Sequence, residues 1–175
     1  MQRSYFALLY LLDGREQYLL WYGSDVDGVV TDSDGTVPSF QSLEALRAFA
    51  RSRGLEIKEE APRLHDLDST EFWIEKGDAS SVDCENLLSA WNLFADVSGS
   101  VAGNFDGDRD ETNAVYDRLF LGSETANEVL RPKEEPIFRP RFSAAETSVM
   151  RKTLKAGLAI FRRVVQLPES EKHAE

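Results

Sequence analysis

The sequence predicts an α+β fold, and three observations carry that prediction. Residues 5–12 and 17–22 are aromatic and aliphatic runs separated by Asp13-Gly14, the pattern of a β-hairpin. Asp27-Gly28 and Asp34-Gly35 repeat the turn signal soon afterwards. From about Asp83 onward, apolar residues recur three and four apart, which is helical periodicity. Strands with one helix come first and helices follow, so the two kinds of element are segregated rather than alternating.

The elements follow in order. In residues 5–12 both alternating sets are apolar, which suits a strand buried on both faces. Together with residues 17–22, a short run at 29–31 and another at 36–40, it makes an N-terminal antiparallel β-meander. Ser42 is placed to cap a helix carrying Leu43, Leu46, Phe49 and Ala50 on one face, and Gly54 to end it. Residues 55–58 read as a return strand. Residues 59–83 mix Pro62 and polar clusters with Phe72, Trp73 and Ile74, which reads as a loop with one helical turn or a short strand.

Asp83 then caps a helix whose stripe runs through Leu87, Leu88, Trp91, Phe94 and Ala95 to residues 97–101. A second helix starts at about Asp110 and stops at Gly122. Pro132, Pro136 and Pro140 mark residues 131–140 as an extended connection. Ser143 and Glu146 have capping-box spacing, and a wide apolar face follows until Pro168. With 175 residues and 42% hydrophobic content, the chain suits one domain over 1–175. Its β-rich part covers about 1–60, its helical part about 83–167, and residues 168–175 form a flexible tail.

Charge is distributed unevenly along this plan. Residues 1–136 hold 27 acidic and 12 basic side chains, whereas residues 137–167 hold seven basic and one acidic. A surface this acidic repels nucleic acid and favours a basic protein partner. The basic run of the last helix reads as a solvated face that also pairs with the acidic lobe. Cys84 is the one cysteine, which excludes an internal disulfide and a thiolate metal cluster and fits a reducing cytoplasm. The apolar run near the N-terminus is short, ends at Asp13-Gly14 and lacks a cleavage site, so it reads as a strand and not a leader. No stretch has the length of a membrane span.

Candidate site residues are mostly aspartates. Asp25, Asp27, Asp32 and Asp34 crowd two turns, where aspartate serves turn chemistry or presents a negative patch. Asp66 and Asp68 flank Leu67 after His65 and have the spacing of a divalent-ion pair, a pattern common by chance in acidic chains. Asp106, Asp108 and Asp110 have the spacing of a calcium loop, but its sixth position is Glu111 where glycine is needed. An acidic cluster at a helix N-terminus explains the same residues, and no metal or cofactor is expected. Trp73, between Glu71 and Glu75, is the candidate for an exposed aromatic anchor. One internal histidine and no nucleophile or metal motif leave a hydrolase incomplete, so no enzyme activity and no catalytic residues are expected.

Residues 86–101, NLLSAWNLFADVSGSV, with 115–120, VYDRLF, and the Ser143-capped helix resemble bacterial immunity proteins of polymorphic-toxin and contact-dependent growth inhibition systems. That resemblance implies a small cytoplasmic protein that neutralises one cognate toxin domain, often a nuclease, without catalytic residues of its own. A toxin nuclease holds phosphates with Lys and Arg, so carboxylates can cover the same surface. Opposite charge also speeds encounter, toward roughly 10⁸ to 10⁹ M⁻¹s⁻¹ at low salt. The expectation is a stoichiometric inhibitor of a basic toxin domain using the aspartates named above and Trp73. The alternative is a non-catalytic scaffold, adaptor or chaperone component that docks through the basic helix or the proline segment.

Overall fold

The computed structural model describes residues 3–130, 132 and 136–166. The tail expected at 168–175 and most of residues 131–135 lie outside these. The chain is α+β, with its strands first and a mainly helical second half. Strands β1 (Ser4–Leu12) and β2 (Arg15–Gly23) form the hairpin in continuous antiparallel register from Ser4 opposite Gly23 to Leu12 opposite Arg15. Asp13 and Gly14 both adopt positive φ, 56° and 70°, which the tight turn between right-twisted strands requires. Strand β3 (Gly28–Val29) adds to β2 antiparallel.

Two strand expectations change. Within residues 36–40, Phe40 keeps an antiparallel bridge to Tyr18 of β2, whereas β4 (Val37–Pro38) pairs in parallel with β6 (Val165–Gln166) at the end of the chain. Residues 55–58 make a bridge from Ile57 to Tyr5 and no longer strand. The strand that does pair with β1 on that side is β5 (Leu64–Asp66), parallel to residues 9–11. The main sheet therefore runs β3-β2-β1-β5.

Alternation in β1 and β2 divides the interior. Leu8, Tyr10 and Leu19 face the helical half, while Leu20 and the partly buried Tyr5, Ala7 and Tyr18 face helix α1 (Leu43–Ser52). Burial on both faces accounts for the continuous apolar run of β1. Helix α1 is capped by Ser42, whose Oγ accepts from the Ala45 amide at 3.1 Å. The larger cluster joins the sheet to α2 (Leu67–Lys76), α3 (Cys84–Ser100) and α6 (Ala144–Val164).

Helix α3 lies at the centre, with Trp91, Leu93, Phe94 and Val97 almost fully buried. Asp83 caps it as its position suggests, accepting from Asn86 N at 3.0 Å. Helices α4 (Asp110–Gly122) and α5 (Glu124–Leu130) cover the far side; the second was not foreseen. The capping box of α6 is complete, with Ser143 Oγ accepting from Glu146 N and Glu146 Oε2 accepting from Ser143 N at 2.8 Å. The helix ends at Val164, earlier than Pro168, because residues 165–166 pair with β4.

Arg151 and Arg162 of α6 act within the fold. Arg151 donates to the Trp73, Ile74 and Gly77 carbonyls, satisfying the C-terminal end of α2. Arg162 binds both oxygens of Asp13 at 2.7 and 2.8 Å and Glu71 at 2.7 Å, tying α6 to the β1–β2 turn and to α2. The pairing expected between the basic helix and the acidic lobe is thus present.

Candidate functional site

The predicted aspartates sit on three stretches of chain, and most are occupied within the fold. Asp66 caps α2, accepting from Ser69 N at 2.8 Å, and Asp68 accepts from the amides of Asp13 at 2.6 Å and Gly14 at 2.8 Å. Asp32 pairs with Arg53, while Asp34 accepts from the amide and hydroxyl of Thr36, which hold its carboxyl below the usual range. Asp27 accepts from Ser24 N at 3.1 Å, and Asp25 and Asp110 are exposed. Asp106 Oδ1 lies 2.6 Å from Arg109 Nη2, a close ionic contact outside hydrogen-bond alignment. The side chain of Asp108 lies outside the described part, although its backbone completes a 3-10 turn, Asp106–Asp108, before α4.

Trp73 is a correction: it is 4% exposed, and its indole donates to Asp78 O at 3.3 Å. Positions 71 and 75 share one face of α2, but Trp73 shares the inner face with Leu67, Thr70 and Ile74. Its neighbour Phe72 carries the exposure instead, at 68%.

Asp13, Asp68 and Glu71 bring carboxylate oxygens within 4.8 Å of one another, a spacing open to a metal ion. Arg162 already supplies positive charge there, and its guanidinium holds the Asp13 carboxyl below the usual range. Cys84 is half-buried, and burial pushes its thiol up to about 11, so it stays protonated and unreactive near neutral pH.

Two surfaces not foreseen at residue level stand out. The first is a cleft of about 630 Å³ between the outer edge of β1 and helix α3, lined by Phe6, Trp21, Asp27, Glu60, Leu93 and Asp96 among others. Trp21 Nε1 donates to Asp96 Oδ2 at 2.7 Å, which fixes the indole. His65 lines the same cleft with its Nδ1 2.7 Å from Ser89 Oγ, and burial pushes its pKa down, so the ring is neutral at pH 7. This pair contains two members of a nucleophile-and-base set.

The second is an apolar groove of about 530 Å³ lined by Leu121, Leu130, Pro132, Pro136, Ile137 and Phe138. Asn127 builds it. Its Nδ2 donates to Ser123 O at 2.8 Å, and its Oδ1 accepts from Phe138 N at 2.9 Å, clamping the proline segment to α5. Leu130 and Ile137 are 60% and 58% exposed, and Val129 beside them is also open to solvent. Large apolar side chains exposed together are a mark of interaction surfaces and ligand-binding grooves.

No protein-family model and no curated protein matches this chain. Among solved structures, the crystal structure of the SatS C-terminal domain in complex with bromine is similar, with a TM-score of 0.54 and 13% sequence identity over 94% of each chain. At that identity the likeness concerns the fold alone. None of the helices in the described residues is long and apolar enough to cross a membrane.

Proposed function

We propose that this protein is a non-catalytic binder of another polypeptide, acting as a scaffold, adaptor or chaperone component. The observation that carries this reading is the Asn127-clamped groove with Leu121, Leu130, Ile137 and Phe138 open to solvent. Burying these side chains against an apolar partner segment gains about 25 cal/mol per Å² removed from water. Asn127 holds the Phe138 backbone on α5, so that part of the groove needs little further ordering when the partner arrives.

A second reading, inhibition of a basic toxin domain, is favoured by the excess of carboxylates over residues 1–136. In that reading the exposed Asp25 and Asp110 are better placed to contact a partner than Asp66 or Asp68, whose oxygens serve backbone amides.

Capture from native lysate with a salt-wash series separates the two readings. A groove-held partner survives high salt and is lost with Phe138→Glu. A basic toxin domain held by charge washes off as salt rises, because exposed charges are screened over about 8 Å at physiological ionic strength.

A further inference from the structure

The cleft at the β1 edge owes its existence to an interruption in the sheet. Tyr5 bridges Ile57, and residues 9–11 pair with β5, but residues 58–63 lie between these contacts against only residues 6–8 of β1, so the pairing on that side lapses at residues 6–8. One wall is aromatic: the Phe6 and Trp21 rings lie 5.5 Å apart at 54°. The charged lining groups are Asp27, Glu60 and Asp96 against Arg63, while His65 is neutral. Arg63 also lies 3.9 Å from Glu85, outside this cleft.

That composition selects its ligand. Asp96 already accepts from the Trp21 indole, but an anion still meets the exposed Asp27 and Glu60 carboxylates, and a neutral apolar group would strip water from these two without compensation. A cation on an aliphatic stem satisfies both parts, with the stem on the aromatic wall and the charge among the carboxylates.

We propose that this cleft receives a Lys or Arg side chain from an extended segment of a polypeptide partner. Only the ownership of that side chain rests on the protein-binding reading; the preference for a cation rests on the cleft. The groove on α5 and this cleft are distinct surfaces with distinct tests.

The probe is the peptide acetyl-Leu-Lys-Leu-Lys-Leu-amide, titrated by calorimetry and by the NMR signal of the Trp21 indole N–H. Its counterpart carries Gln at both Lys positions. The Lys peptide is expected to bind saturably and to shift the Trp21 signal, with the Gln peptide about tenfold weaker or worse, matching the range of cation–π and ionic gains. Asp27→Asn with Glu60→Gln is expected to weaken the Lys peptide about fivefold, while Asp34→Asn leaves it unchanged, as a local site requires. Asp27→Asn alone serves if the double variant does not fold.

Equal binding of the two peptides overturns the proposal, and so does an equal loss with Asp34→Asn. A shift at the other two indoles without Trp21, or no saturation up to about 5 mM, does the same. A failed titration leaves partner capture through the α5 groove untouched, and failed capture leaves the titration untouched.

Discussion

Asp68 accepts from both amides of the Asp13-Gly14 turn, and 54 residues separate it from Gly14 in the chain. Removing it leaves two amides to find water, so Asp68→Ala is expected to cost about 1–3 kcal/mol, read from the urea midpoint. The sequence showed Asp66 and Asp68 as a pair of carboxylates, but nothing local marked one as a helix cap and the other as a clamp on a distant turn. Trp73 was misplaced for a related reason, because adjacent glutamates suggest exposure only until helical phase puts them on another face. His65 carries a pH prediction. Its folded pKa lies below the ordinary 6.5, so the unfolded chain binds more protons as pH falls through that value. Stability is therefore fully present above about pH 6.5 and declines as pH drops toward the folded pKa. Urea melts of wild type and His65→Gln at pH 7 and 5.5 check this: the wild-type loss between them should be larger than the variant's.

At the scale of elements, the close packing of α6 on α3 depends on Gly157. A Cβ there would lie 2.4 Å from the Phe94 ring, and Phe94 is fully buried. Gly157→Ala gains up to about 1 kcal/mol of helix propensity but forces overpacking of about 1–3 kcal/mol. The expected outcome is a lower melting temperature, whereas a rise would show that the ring can move. The hairpin, α1, α3, α4 and the capping box of α6 were legible because each is fixed by local signals: turn residues, caps and periodicity. Strand β6 and the parallel pairing of β5 were not, since a parallel partner is chosen by tertiary approach and leaves little mark in a two- or three-residue segment. Helix α5 is only seven residues long and follows the Gly122 stop, so its pattern is too short to separate from a turn.

On the scale of the whole molecule, the uneven charge visible in the sequence is partly neutralised within the fold, through Arg162 with Asp13 and Glu71. Half-exposed pairs of this kind contribute about 0–1 kcal/mol each, so their effect is orientation of α6 more than stability. What remains distinctive outside is the apolar groove under the proline segment, which sequence pointed to as a docking segment without its partner residues on α4 and α5. The most direct test is affinity capture from native lysate by the tagged wild type and by Leu130→Glu/Phe138→Glu, with thermal melts on both. The account predicts a stoichiometric partner on the wild type that withstands high salt and is absent from the variant, at unchanged melting temperature. The same partner retained by a folded variant would contradict it.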